Sequence, residues 1–142
     1  MKLYFCANEA IFERKHKAHF VVALWSSLKR WGMDVNLIND GDINDELRWF
    51  QDQGLVVIRH ESSLKADMFR VGGFPGFDPI IASGAYLRCD IPILEASEDF
   101  VLYCDCDVMF QRAPILDAVR PEFFACSSEM RFDYWGGRSI PV

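Results

Sequence analysis

The sequence predicts an α/β domain with a mainly parallel sheet covered by helices on both faces. Two observations carry this. Short runs of β-formers alternate with segments of helical period along the first hundred residues. The run "FVLYCD" (100–105) has no polar alternation, the signature of a strand buried on both faces.

The elements follow in order. "KLYFCA" (2–7) is the first strand. "HKAHFVVALWSSLKRWG" sets Ala18, Val21, Leu24, Trp25, Leu28 and Trp31 on one helical face, with Gly32 placed to close the helix. "MDVNLIND" (33–40) is a second strand. The next helix takes Asp42 as its N-cap, carries Asp45 and Glu46 in its first turn, buries Ile43, Leu47 and Phe50, and stops at Gly54. "LVVI" (55–58) is a third strand.

Residues 61–79 break the pattern with Gly72, Gly73, Pro75 and Gly76 and are expected to form a long working loop, either a lid or a simple connection. "IIASGAYLRCDIPILEA" (80–96) is helical in period, with Pro92 as a kink or boundary. "FVLYCD" is then expected as the central strand. "RAPILDAV" suggests a loop with a short helix, "EFFACSS" a fifth strand, and the last stretch has no clear period.

With 142 residues and 51% hydrophobic content, the chain has material for one domain with a real core, residues 1–142. A net charge of −6 disfavours nucleic acid as a partner, since that mode depends on neutralising many phosphates. The N-terminus lacks the layout of a signal peptide, and no apolar stretch approaches the roughly 18 residues of a spanning helix. A soluble, cytoplasmic protein without a transmembrane segment is the expectation. The odd set of cysteines (Cys6, Cys89, Cys104, Cys106, Cys126) suggests reduced thiols. Cys104 and Cys106 form a C-x-C pair, but no second Cys/His pair lies nearby to complete a zinc tetrahedron.

The chemistry-bearing feature is "DCD" at the end of the apolar strand. Asp105 and Asp107 would repel each other in a partly buried place unless a divalent cation joined them. Mn²⁺ or Mg²⁺ suits such a site, because these hard ions accept few protein carboxylates and complete their shell with water and phosphate oxygens. Aspartates at a strand end can also simply cap a turn; the apolar strand before them and the βα units around them favour the metal. Ligands of open α/β sheets bind beyond the carboxyl ends of the strands. Ala7 and Asn8 leave the first strand at that edge and could meet a nucleotide base, although Asn8 could equally start a turn.

"GAYLRCDIPILEASEDFVLYCDCDVMF" resembles the Y-x-R helix, apolar strand and D-x-D signature of glycosyltransferase family 8, retaining enzymes of GT-A (Rossmann-like) fold. "YFCANEAIF", "HFVVALWSSLKR" and "VNLINDGD" are similar to that family's first strand, helix and second strand, so the likeness spans essentially the whole chain and is most specific over 84–110. The resemblance implies that Asp105 and Asp107 ligate Mn²⁺, that Cys106 lies against the nucleotide, and that Cys6, Ala7 and Asn8 line a uridine pocket. It further implies that Arg88 reaches the phosphates or donor sugar, a role suited to a guanidinium; a surface ion pair with Asp90 or Glu95 is the competing account. The implied activity is transfer of a hexose from a UDP-sugar to a carbohydrate acceptor of lipopolysaccharide or polysaccharide type.

The departures are specific. The family usually carries Asp where Asn8 stands, and an aromatic stacking residue where this chain offers Ile11 or Phe12. Its third metal ligand is a late histidine, whereas His16, His19 and His60 all precede the D-x-D. The acceptor-binding half, through which any peripheral membrane contact would come, is also missing, so the chain resembles the donor-binding part of an incomplete catalytic domain. Two other classes compete: a non-catalytic nucleotide-sugar-binding remnant, and a haloacid dehalogenase-like phosphatase. The phosphatase fits poorly, because its D-x-D follows the first strand and needs a lysine downstream, and no Lys follows Asp107 here.

Overall fold

The computed structural model describes residues 1–13, 17–72 and 78–114, with short backbone segments at 132–133 and 138–139. The fold is α/β. A four-stranded, all-parallel sheet runs in the order β3-β2-β1-β4, built from β1 (Leu3–Asn8), β2 (Val35–Asp40), β3 (Val56–Arg59) and β4 (Leu102–Tyr103). Helices α1 (Glu9–Glu13) and α2 (Lys17–Trp25) join β1 to β2, and α3 (Asp45–Asp52) joins β2 to β3. Then α4 (Lys65–Val71), α5 (Pro79–Tyr86), a 3-10 turn (Leu87–Asp90) and α6 (Ile91–Leu94) lead to β4. Phe132–Asp133 (β5) and Arg138–Ser139 (β6) pair antiparallel. The short helix and fifth strand expected from "RAPILDAV" and "EFFACSS" fall almost wholly outside the described residues.

β1 is the strand around which the core is organised, because its alternate side chains serve opposite faces. Leu3, Phe5 and Ala7 pack with Phe20, Ala23 and Leu24 of α2 and with Leu47 and Phe50 of α3. Tyr4 and Cys6 pack on the other face with Ile38, Leu87 and Ile91. Both faces are therefore covered, as the sequence implies. Each fully buried Leu or Phe here contributes about 1.5–3 kcal/mol relative to an exposed one.

The inner positions belong to β1 and β2, not to the strand expected from "FVLYCD". β4 is shorter than "FVLYCD" suggests, its residues are only partly buried, and among the described residues it pairs with β1 alone. β3 begins at Val56 rather than Leu55 and is an edge strand, with Val56 half exposed. The buried face of α2 is also rotated from the one expected. Phe20, Ala23, Leu24 and Ser27 point inward, Ala18 faces solvent, and Trp25 is 41% exposed and stacked on Trp49 at 5.2 Å. After Trp25 the helix widens into a π turn at Ser26–Arg30, closed by Trp31 N–H on Ser26 O and followed by Gly32 at φ 59°, so the regular helical period assumed for Leu28 and Trp31 does not hold there.

Asn44, not Asp42, caps α3: its Oδ1 accepts Leu47 N–H at 2.9 Å, while Asp42 pairs with Arg59 at 2.9 Å. The segment expected as a loop over 61–79 contains α4, which ends on Gly72 in the left-handed region at φ 75°. Two buried carboxylates fix the entry to α4. Asp40 accepts from Lys65 Nζ at 3.0 Å, and Asp90 accepts from Ser63 N–H at 2.9 Å and pairs with His60 Nε2 at 2.9 Å. Pro92 marks a boundary, standing in the first turn of α6.

Candidate functional site

Parallel pairing of β1 with β4 sets the carboxyl ends of both strands side by side, and a cleft of about 490 Å³ opens there. Cys6, Ala7 and Asn8 line it from β1, and Asp105, Cys106 and Asp107 line it from the turn after β4. Residues about a hundred positions apart in the chain are thus brought to one place. The opposite wall is apolar or small: Ala10 and Ile11 from α1, and Ile81, Gly84 and Ala85 from α5. Ile11, rather than Phe12, faces the cleft; Phe12 packs edge-on against Phe20 at 5.5 Å.

Local chemistry fixes each of these residues. Asn8 is buried and donates its Nδ2–H to Ile80 O at 2.6 Å, so it ties β1 to α5 and does not start a free turn. α5 approaches so closely that a Cβ at Gly84 would lie 2.7 Å from Asn8 Nδ2. The α5 start is set by Asp78, whose Oδ1 accepts Ile80 N–H at 2.9 Å, with Pro79 in the first turn. Cys106 donates its thiol to Cys6 O at 2.7 Å. Burial pushes the thiols of Cys6 and Cys106 up to about 12 and that of Cys104 to about 11. All three remain neutral near pH 7, adding no negative charge beside the aspartates.

Asp105 is open to solvent, with 62% of its side chain exposed. Its Oδ1 accepts the hydroxyl of Tyr103 at 2.5 Å and lies 3.8 Å from Arg88 Nη1. Arg88 also sits over the rings of Tyr86 at 5.3 Å and Tyr103 at 5.8 Å. The competing pairing of Arg88 with Asp90 or Glu95 is not what holds it. Asp90 serves His60 and Ser63, and Glu95 serves Lys2 and Tyr4. Arg88 stands beside the cleft through Asp105 rather than in its lining. Tyr103 was not singled out by sequence. Nothing in the sequence sets it apart, because it stands within an apolar run and Asp105 lies past the end of β4.

The donor set at 105–107 suits a hard divalent cation: carboxylate oxygens on an accessible rim, with the intervening thiol turned to a backbone carbonyl. Among the described residues no group of three metal-ligating side chains occurs.

A second cleft of about 510 Å³ opens at the ends of β2 and β3, lined by Glu9, Asn39, Asp40, Asp42, His60 and neighbours. Of its four acids, Asp40 pairs with Lys65 and Asp42 with Arg59. Among the described residues no helix is long and apolar enough to cross a membrane. Comparison with protein-family models, with characterised proteins and with solved structures yields no match to this chain.

Proposed function

We propose that the chain is the donor-binding part of a metal-dependent, retaining glycosyltransferase of GT-A type, which moves a hexose from a UDP-sugar to a carbohydrate acceptor. The observation that carries this reading is the cleft at the paired ends of β1 and β4, where Cys6, Ala7 and Asn8 meet Asp105, Cys106 and Asp107. The resemblance to glycosyltransferase family 8 noted from the sequence points to the same residues.

The roles follow from their chemistry. The small side chain of Ala7 and the apolar wall of Ile11 and Ile81 admit a flat ring, and the neutral thiols of Cys6 and Cys106 let it approach without charge repulsion. Asp105 and Asp107 hold Mn²⁺ or Mg²⁺, which when bound neutralises the diphosphate and stabilises it as leaving group. Arg88, held over Tyr86 and Tyr103 and 3.8 Å from Asp105 Oδ1, would offer its guanidinium to the phosphates.

Calorimetry tests this directly. UDP should bind in the presence of Mn²⁺, and Asp105→Ala and Asp107→Ala should each abolish the binding. Equal affinity in EDTA would refute the reading. UDP-sugar hydrolysis and transfer to oligosaccharide acceptors then separate an enzyme from a binding module, which shares the cleft but turns nothing over.

A further inference from the structure

We infer that Tyr103 is a positioning residue of this site: its hydroxyl clamps one oxygen of Asp105 and thereby fixes which oxygen Asp105 offers to a cation. The inference rests on the metal-dependent reading above and deepens it. The Tyr103 hydroxyl donates to Asp105 Oδ1 at 2.5 Å, a short, charge-assisted hydrogen bond. The guanidinium of Arg88 approaches the same oxygen at 3.8 Å. Both contacts fall on Oδ1, so Oδ2 is the oxygen they leave uncommitted.

An aspartate with 62% of its side chain exposed would otherwise rotate freely about its last bond. The clamp removes that freedom before the ion arrives. Tyr103 is well suited to the task because its own ring is held, packed at the β1–β4 pairing and covered by Arg88 at 5.8 Å. Arg88 is held in turn between the rings of Tyr86 and Tyr103. A single hydroxyl therefore couples the residue that meets the cation to the neighbour of the residue that meets the anion. Partners behind a metal ligand that fix its orientation commonly matter 10–100-fold in affinity.

The test is Tyr103→Phe, which deletes one oxygen and keeps the ring. Mn²⁺ affinity is read by electron paramagnetic resonance of the free ion, with UDP present, independently of any turnover. The expected result is a loss of about tenfold in Mn²⁺ affinity. Tyr103→Met, which removes ring and hydroxyl together, serves as the second variant and should lose at least as much.

A merely structural role is separated by a readout that needs no metal. Asp105→Asn itself should bind no Mn²⁺, so the separation is read from urea denaturation of the metal-free protein, where Tyr103→Phe should unfold at the parent's midpoint; a midpoint lowered as far as that of Tyr103→Met overturns the inference, as does a Tyr103→Phe protein that binds Mn²⁺ like the parent. If the parent protein itself binds no Mn²⁺ with UDP, the failure lies with the metal reading, and the positioning role falls with it.

Discussion

Gly84→Ala should destabilise this protein, although replacing a helical glycine by alanine ordinarily does the opposite. Gly84 lies in the interior of α5, where alanine is favoured by about 1 kcal/mol on intrinsic propensity. The new Cβ, however, would stand 2.7 Å from Asn8 Nδ2, 2.8 Å from its Cγ and 3.1 Å from its Oδ1. Relief requires either that α5 retreat from β1 or that the Asn8 amide swing away and give up its 2.6 Å bond to Ile80 O. Overpacking of this kind costs about 1–3 kcal/mol, and a buried donor left without its acceptor costs a similar amount. These are alternative routes of relief and do not add. Against the propensity gain, the net is a loss of about 1 kcal/mol.

Urea denaturation with an unchanged m-value measures it. The decisive comparison repeats the substitution in an Asn8→Ala background, where the obstacle is gone and Gly84→Ala should stabilise by about 1 kcal/mol. The same sign and size in both backgrounds would show that the contact between α5 and the end of β1 does not govern this position. Because the displaced amide would project into the cleft, the single variant should also bind UDP more weakly.

Other consequences can be checked on the same material. Leu24→Ala should cost about 2–5 kcal/mol, while Trp25→Ala, which removes an exposed ring stacked on Trp49, should cost about 1 kcal/mol; a loss at Trp25 as large as that at Leu24 in chemical denaturation would restore the helix face expected from the sequence. Glu95 accepts hydrogen bonds from Lys2, Ser97 and Tyr4, which hold its carboxyl well below the ordinary 4.5. A group depressed in the folded state stabilises above its unfolded value and loses that contribution as pH falls through the folded one. Stability should therefore decline below about pH 4.5 less steeply in Glu95→Gln than in the parent, and parallel acid limbs in pH-dependent melts would contradict this. Asn44→Ala should cost about 1 kcal/mol through loss of the α3 cap, with Asp42→Ala near neutral in thermal unfolding.

The strands were legible where their chemistry is one-dimensional. β1 and β2 are runs of β-formers between breakers, and their placement within a residue or two follows from that alone. Whether a strand lies in the middle or at the edge is a property of pairing, which the apolar run at 100–105 does not disclose. The cap of α3 shows the same limit. Asp42 and Asn44 are both competent acceptors, and only the approach of Arg59, seventeen residues on, commits Asp42 elsewhere. α4 was obscured by the glycines and proline that follow it, and its anchoring to Asp40 and Asp90 depends on long-range contacts.

For the cleft, the carboxylates and the end of β1 could be read from sequence because the rule about strand ends joins them. Tyr103 could not, since an aromatic within an apolar run reads as core until its hydroxyl is seen on Asp105.

The clasp of Glu95 on Lys2 and Tyr4, spanning 93 and 91 residues, and the pairing of Leu3 with Leu102 close the same long ring of chain. Closing a ring of that size costs about 4 kcal/mol in lost chain freedom. The cleft exists only after closure, so it should be the late event of folding: α2, α3 and the β1–β2–β3 ribbon can assemble first, and the β4 turn docks onto them last. On a ribosome, β1 must wait for β4, which emerges about a hundred residues later, before the two halves of the cleft can meet.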